Sequence, residues 1–252
     1  LEFLRKKIQQ LEDSTSQIQK YLNSGFGDAG EDYYQKALEF QKKGVKSEAL
    51  EELQKCILLI PHHAQAYFCQ GVILAQNGQS DQALNSFGDA IEIRKDFWEA
   101  YYRRALVYMQ KRIYDSALAD LAIVTQLNPQ HAYSYFYSAE IYQEKKDYAR
   151  TFAYYNKALE YDPNLVSAYY QRGKLYDREQ DYVKARQDYE KVAKMDEKLK
   201  MQVLPLIDKI AGYLIKDALL YWDKGRAEVE RGELEAAFLS YTQALTMDRM
   251  ML

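Results

Sequence analysis

Cysteine is scarce in this chain. Cys56 and Cys69 are the two in 252 residues; they form no metal or redox spacing, and their helical positions read as small buried thiols. That usage points to a reducing compartment, so a cytoplasmic location is expected, with any targeting signal outside the fragment. Four prolines and eleven glycines are few enough to favour helix. Histidine is limited to His62, His63 and His131, in turns beside Pro61 and Pro129, and no carboxylate or thiol is spaced to complete a metal site with them. A basic excess is missing too. The net charge of -3 and pI near 5.8 argue against a broad nucleic-acid surface. No apolar run approaches the ~20 residues that span a bilayer, so no membrane insertion is expected. Leu1-Glu2-Phe3-Leu4-Arg5-Lys6-Lys7 lacks the order of a secretory signal. There is no Walker-type Gly-rich loop, no Gly-x-Ser-x-Gly and no His-Glu-x-x-His, so nothing presents a nucleophile with its base. Neither an enzyme nor a cofactor is expected.

What the sequence does have is a beat. Tyr33, Tyr67, Tyr101, Tyr135 and Tyr169 stand 34 residues apart, each followed by a second aromatic: Tyr34, Phe68, Tyr102, Phe136 and Tyr170. Such a period marks a solenoid, because one short helical unit cannot bury its apolar face alone and must stack on neighbours. With blocks opened at Gly30, Ala64, Trp98, Ala132 and Val166, the eighth place is always small: Ala37, Gly71, Ala105, Ala139, Gly173. The twentieth (Ala49, Ala83, Ala117, Thr151, Ala185) and twenty-seventh (Cys56, Ala90, Val124, Ala158, Val192) are small as well. Large residues hold the eleventh place (Phe40, Leu74, Tyr108, Tyr142, Tyr176) and the twenty-fourth (Leu53, Phe87, Leu121, Tyr155, Tyr189). Small places facing large ones give a knob-and-hole surface. Apolar spacing is helical in two runs per block, broken near Lys43-Gly44, Asn77-Gly78, Lys111-Arg112, Lys145-Lys146 and Glu179-Gln180. Each block is therefore a helical hairpin. Gly44 and Gly78 suit a left-handed helix end, and Pro61, Pro129 and Pro163 close their blocks.

This pattern resembles the tetratricopeptide repeat, whose signature is matched through Tyr67-Gly71-Leu74-Ala83-Phe87-Ala90 and through Tyr135-Ala139-Tyr142-Tyr155-Ala158-Pro163. Lys95 and Glu197 replace the closing proline in two blocks and Thr151 replaces one alanine. The resemblance implies an all-α, right-handed solenoid of stacked hairpins. It also implies a concave groove lined by the first helix of each hairpin, with places two, five, six, nine, twelve and thirteen pointing into it. Carried over, place five gives a ladder of Tyr34, Phe68, Tyr102, Phe136 and Tyr170, with Trp222 as a displaced sixth rung. Two readings of that ladder stand side by side: binding anchors, or rings that pack on the next helix. Leu38, Val72, Ala75, Leu106 and Met109 make the early groove apolar, with Arg103 the cation among them, whereas Glu140, Lys174, Asp177 and Arg226 make the later groove charged. The partner implied is a protein or peptide segment, amphipathic along its length. Repeats of this family that hold the C-terminal carboxylate of heat-shock chaperones use a set of Lys, Asn and Arg. Here only Arg103 corresponds; Tyr34, Leu38, Cys69 and Glu99 stand at the other places, so a carboxylate clamp is not expected.

Around the five blocks, taken as residues 30–199, lie other segments. In residues 1–24, Leu4, Ile8, Leu11, Thr15, Ile18 and Leu22 form one helical stripe that suits either a short coiled coil, and so a homodimer, or a helix folded back on the array. Residues 25–29 read as a Gly-rich linker. Residues 200–217 are an apolar helical insert with Pro205 near the start of its helix, one that runs from about Val203 into Glu230 and displaces the next repeat. From Ala218 to 252 a sixth block returns with Tyr221, Trp222, Gly225, Ala237, Tyr241 and Ala244 in register; its eleventh place, Glu228, fits poorly beside Val229. A chain opening on leucine reads as trimmed, and one ending without a polar capping helix is expected either to continue in further repeats or to be covered by another surface. The function these features imply is a scaffold or adaptor that binds a partner in the groove. The alternative is a structural subunit of a larger assembly, joined through the N-terminal helix, the convex face or the uncapped end.

Overall fold

The computed structural model describes residues 25 and 27–249. The stripe at 1–24, with its dimer contact, lies outside them. The described residues are all α, with twelve helices and no strand among them. The chain divides into two compact units between Pro129 and Gln130. The first holds α1 (27–42), α2 (Lys46–Leu59), α3 (Ala64–Gln76), α4 (Ser80–Ile93), α5 (Trp98–Gln110) and α6 (Tyr114–Leu127), three hairpins in sequence. The second holds α7 (Ala132–Glu144), α8 (Tyr148–Tyr161), α9 (Val166–Arg178), α10 (Tyr182–Met195), α11 (Glu197–Glu230) and α12 (Leu234–Arg249).

Within each hairpin the eighth and twenty-fourth places meet. A Cβ added at Gly71 would lie 2.7 Å from Phe87, one at Gly173 would lie 3.0 Å from Tyr189, and one at Gly225 would lie 2.9 Å from Tyr241. Phe87, Tyr155 and Tyr189 are in consequence almost fully buried. Within each unit, hairpins then stack through the second helix of one and the first helix of the next. Leu50 and Leu84 join Leu74 and Val107 in one cluster, and Phe152 lies 4.7 Å, centroid to centroid, from Tyr176. In the second unit this stacking makes a single core from Ala132 to Leu214.

Every first helix of a hairpin from α1 to α9, and α11 as well, ends on a residue of positive φ. Glycine fills it at Gly44, Gly78 and Gly232; Arg112, Lys146 and Gln180 adopt the same conformation at φ 59 to 62°. The Cβ of an L residue crowds the following carbonyl there. The turn is thus set by the backbone hydrogen bonds around it, such as Ile113 N to Tyr108 O at 2.8 Å, rather than by the residue at its apex.

Three expectations are corrected. Residues 27–29 are not a linker but the first turn of α1, and Gly25 is helical too. Ile60, just beyond α2, covers that turn so closely that a Cβ on the buried Gly30 would meet its side chain at 2.5 Å; packing there outweighs glycine's poor helix propensity. The insert helix begins at Glu197 rather than near Val203, because the Asp196 carboxylate caps it, accepting from the backbone N–H of Lys198 (2.8 Å) and Leu199 (3.0 Å). Pro205 therefore sits inside α11 rather than at its start. Glu228 does hold the inward place, and Val229 is 46% exposed. The buried carboxylate is tolerated because Ser240 Oγ donates to it at 2.7 Å and Lys224 approaches to 3.8 Å.

The 34-residue α11 has two roles. Its first half supplies Val203, Ile210 and Leu214 to the core against α10, with Tyr213 packed on Tyr182 at 4.9 Å; its second half pairs with α12. Replacing Arg112, Lys146 or Gln180 by glycine is expected to raise the free energy of unfolding by about 1 kcal/mol each, measured by urea denaturation followed by circular dichroism.

Candidate partner-binding surface

The two aromatics of each beat go to different neighbours. The first member packs across its hairpin toward the end of the second helix. Tyr135 stacks on Tyr161 at 5.3 Å, and lysines stand over Tyr33 (Lys55 Nζ, 5.7 Å), Tyr135 (Lys157 Nζ, 4.9 Å) and Tyr169 (Lys191 Nζ, 4.6 Å). The second member lies against the ring at place twenty-four: Phe68 on Phe87 at 6.0 Å, Phe136 on Tyr155 at 5.9 Å, Tyr170 on Tyr189 at 6.4 Å and Trp222 on Tyr241 at 4.8 Å. Phe68 also meets Phe97 at 4.9 Å, and Phe136 is buried. The ladder is thus a packing element, and it is most exposed at Trp222 (45%).

In the first unit, Tyr34 is half-buried, with its hydroxyl 3.9 Å from Cys69 Sγ and its ring 4.6 Å from His63. Leu38, Val72, Ala75, Tyr102, Leu106 and Met109 are each partly exposed on α1, α3 and α5, and Arg103 is exposed. The first helices thus carry an apolar surface with one exposed guanidinium among it. Both cysteines are free and buried, and burial pushes the Cys56 thiol up to about 11. His63 is not a solvated turn residue. Its Nδ1 accepts from Ala66 N at 3.0 Å and caps α3, which leaves Nε2 to donate to Glu31 at 3.2 Å.

In the second unit the same places are polar. Glu140 is partly buried and accepts a short hydrogen bond from the Tyr155 hydroxyl, which also lies 3.3 Å from Gln143 Oε1. Burial raises the Glu140 pKa above the usual carboxylate range, against the lowering effects of Tyr155 and Lys174. Burial likewise raises the Tyr155 pKa, so that phenol remains the donor. Lys174 is exposed, its ammonium 5.5 Å from the Tyr170 ring, and Asp177 faces Lys209 of the insert at 3.8 Å. Arg226 is exposed and pairs with Asp223 at 3.3 Å. Trp222 and Arg226 stand on the second half of α11, beyond the part that packs on α10.

Sequence reasoning passed over two bidentate pairs. Arg104 donates through Nε and Nη2 to Asp120, and Arg172 does the same to Asp188, all four bonds at 2.8 Å with both carboxylates buried. They link places seven and twenty-three, where Ser86 also donates to Gln70 at 2.9 Å. The signal was present as an Arg followed sixteen residues later by Asp in alternate blocks. These pairs brace hairpins and leave nothing for a ligand. Lys209 also escaped notice, because it lies in the insert outside the repeat frame, as did Gln143, although it stands at place twelve.

Tetratricopeptide repeat models match residues 70–132, 102–165 and 154–187. No curated protein matches the chain significantly in sequence. Solved structures share the fold. MamA from Desulfovibrio magneticus RS-1 is 22% identical over 69% of this chain and 98% of its own, with a TM-score of 0.64. PilF of Pseudomonas aeruginosa is 18% identical over 88% and 99%, with a TM-score of 0.61. YrrB is 19% identical over 68% and 92%, with a TM-score of 0.57. The chain belongs to the tetratricopeptide repeat family. It has the fold of a protein–protein interaction scaffold, in a family whose members generally lack catalysis and bind proteins or peptides. Among the described residues no helix is long and apolar enough to cross a membrane, and no cluster of His, Cys, Asp or Glu could hold a metal ion.

The raised Glu140 pKa fixes the sign of a pH effect. The folded chain binds this proton more tightly than the unfolded chain, so the group's contribution to stability falls as pH rises from the unfolded pKa through the folded one. Glu140→Gln is accordingly expected to gain stability relative to the parent at pH 7.5 and to lose that advantage near pH 4. Paired urea titrations at the two pH values check this; an advantage that grows on acidification contradicts it.

Proposed function

We propose that this chain is a non-enzymatic scaffold that binds a protein segment on the first helices of its hairpins. The observation that carries the reading is the partly exposed apolar series Leu38, Val72, Ala75, Leu106 and Met109 on α1, α3 and α5. On the second helices of the same unit Leu53, Phe87 and Leu121 are buried, and the exposed Leu58 and Leu127 stand singly near the helix ends. Apolar side chains of the segment belong on this unit. Its charged side chains belong on the second unit, where Glu140, Lys174 and Asp177 alternate in sign, so the bound segment is amphipathic. The likeness to YrrB, described as having an unusual peptide-binding site, supports a peptide ligand in general. It does not extend to a chaperone C-terminus. The places that would donate to a terminal carboxylate hold Tyr34, Leu38, Cys69 and Glu99, and the Tyr34 hydroxyl and Cys69 thiol face each other.

The ladder enters this reading as support for the surface, with Tyr34, Tyr102 and Tyr170 partly exposed and Phe136 buried within its hairpin. The test places a photo-crosslinking residue at Leu106 or Met109, and at the exposed Ala119 of α6 as a control, in protein expressed in its native source. The same adduct is expected from 106 and 109 and not from 119, reduced at least tenfold by Val72→Glu. Equal adducts from all three positions contradict the proposal.

A further inference from the structure

One row of side chains on α7 combines rings with carboxylates. At places two, six, nine and thirteen this helix carries Tyr133, Tyr137, Glu140 and Glu144, spaced by four, three and four, so all four stand along one face. The row is accessible: Tyr133 is 45% exposed, Glu144 is exposed, and Tyr137 and Glu140 are partly so. The same places hold Glu99, Arg103, Leu106 and Gln110 on α5, and Ser167, Gln171, Lys174 and Arg178 on α9. Only the α7 row has two rings and two acids with no cation among them.

The carboxylate within the row is short of donors. Glu140 accepts a short hydrogen bond from the Tyr155 hydroxyl, and the same hydroxyl lies 3.3 Å from Gln143 Oε1, so one donor is shared by two acceptors. Gln171 supplies a third acceptor, an Oε1 that is buried without a hydrogen-bond partner. It stands at place six, where its counterpart Cys69 lies 3.9 Å from the Tyr34 hydroxyl of the preceding hairpin. The residue equivalent to Tyr34 is Phe136, one turn before Glu140. Lys174 acts on Glu140 through charge alone, with its ammonium over the Tyr170 ring, 5.5 Å from the centroid. Acceptors shielded from water with too few donors are costly, and such a cluster calls for a donor from outside.

We propose that the row on α7 is a binding site for an arginine side chain of the bound segment, whose guanidinium donates to Glu140 and Gln143 and lies against the Tyr133 and Tyr137 rings. That the arginine belongs to a bound segment rests on the scaffold function proposed above. Three properties select a guanidinium. It presents several N–H donors in one plane and no acceptor, the complement of a cluster of carboxylate and amide oxygens with one shared hydroxyl. Its charge is opposite to that of Glu140 and Glu144. It also stacks on aromatic faces, and the Tyr133 and Tyr137 rings stand 6.4 Å apart at an interplanar angle of 31°. A lysine ammonium answers the charge but is a point donor, and it cannot bridge separate acceptors in a plane. Burial favours the neutral form of Glu140, and a guanidinium beside it restores the charged form.

The probe is N-acetyl-arginine methylamide, titrated into the isotope-labelled 252-residue chain while tyrosine ring and glutamine side-chain amide signals are followed by NMR. Saturable shifts are expected at Tyr133, Tyr137 and Gln143. The citrulline analogue, which keeps the shape and loses the charge, is expected to bind at least tenfold more weakly, and the lysine analogue at least threefold more weakly. Glu140→Gln, a variant expected to be more stable than the parent at pH 7.5, weakens the arginine probe at least tenfold. Glu235→Gln, which removes an exposed carboxylate from α12, leaves it unchanged. Equal binding of the arginine and citrulline analogues, equal binding by the parent and the Glu140→Gln chain, or an equal loss from Glu235→Gln overturns the proposal. Its failure and that of the scaffold function are distinguishable. Equal adducts at positions 106, 109 and 119 contradict the bound segment and leave the probe result standing. An arginine probe that does not bind, with the adducts at 106 and 109 undiminished by Glu140→Gln, contradicts the arginine site alone.

Discussion

The structure depends on a close approach repeated in every hairpin, in which the backbone at the eighth place of the first helix meets the side chain at the twenty-fourth place on the second. Where the eighth residue is glycine the gap has no room for a methyl group without displacement, and elsewhere it is alanine. This contact sets the distance between two helices, and interiors packed at crystal density tolerate little error in it. The aromatic at place five then covers the ring at place twenty-four from the side. Place twenty-one reaches out to the following hairpin. The beat of paired aromatics is a consequence of that geometry.

The fold was legible because the constraint recurs. A single small residue opposite a large one says little, but five blocks aligned at eight, twenty, twenty-four and twenty-seven leave no other periodic packing. What sequence could not show was where tertiary contact overrides local preference. Gly25, Gly27 and Gly30 look like a linker until Ile60 is seen against the last of them. Glu228 looks misplaced until Ser240 and Lys224 are found beside it. Asp196 as the true start of α11 was readable in principle, since aspartate is a strong N-cap, but the apolar pattern beyond it drew attention to Val203.

The candidate surface was less legible, for a physical reason. A ring at place five serves packing and exposure at once, and its position alone does not apportion the two. Phe136 is buried whereas Trp222 is nearly half exposed at the same place. Polar pairs were harder still: Arg172 and Asp188 lie sixteen residues apart on different helices, and only the hairpin brings their groups to 2.8 Å. The change from Leu38, Val72 and Leu106 to Glu140 and Lys174 was visible directly, because it needs only the place and the residue type. The sixth hairpin shows the same logic in reverse. The first half of α11 takes the position against α10, and Leu220 is 66% exposed where Ala66, Ala100, Ser134 and Ala168 are sealed.

The central claim, that the eighth and twenty-fourth places set each hairpin, is tested most directly by a double-mutant cycle between Gly71 and Phe87. Gly71→Ala alone places a methyl group 2.7 Å from the Phe87 ring and is expected to destabilise by about 2 kcal/mol. In a Phe87→Leu background the ring is gone, and the same change is expected to be neutral or to stabilise by up to about 1 kcal/mol through helix propensity. An equal cost of Gly71→Ala in both backgrounds would contradict the account.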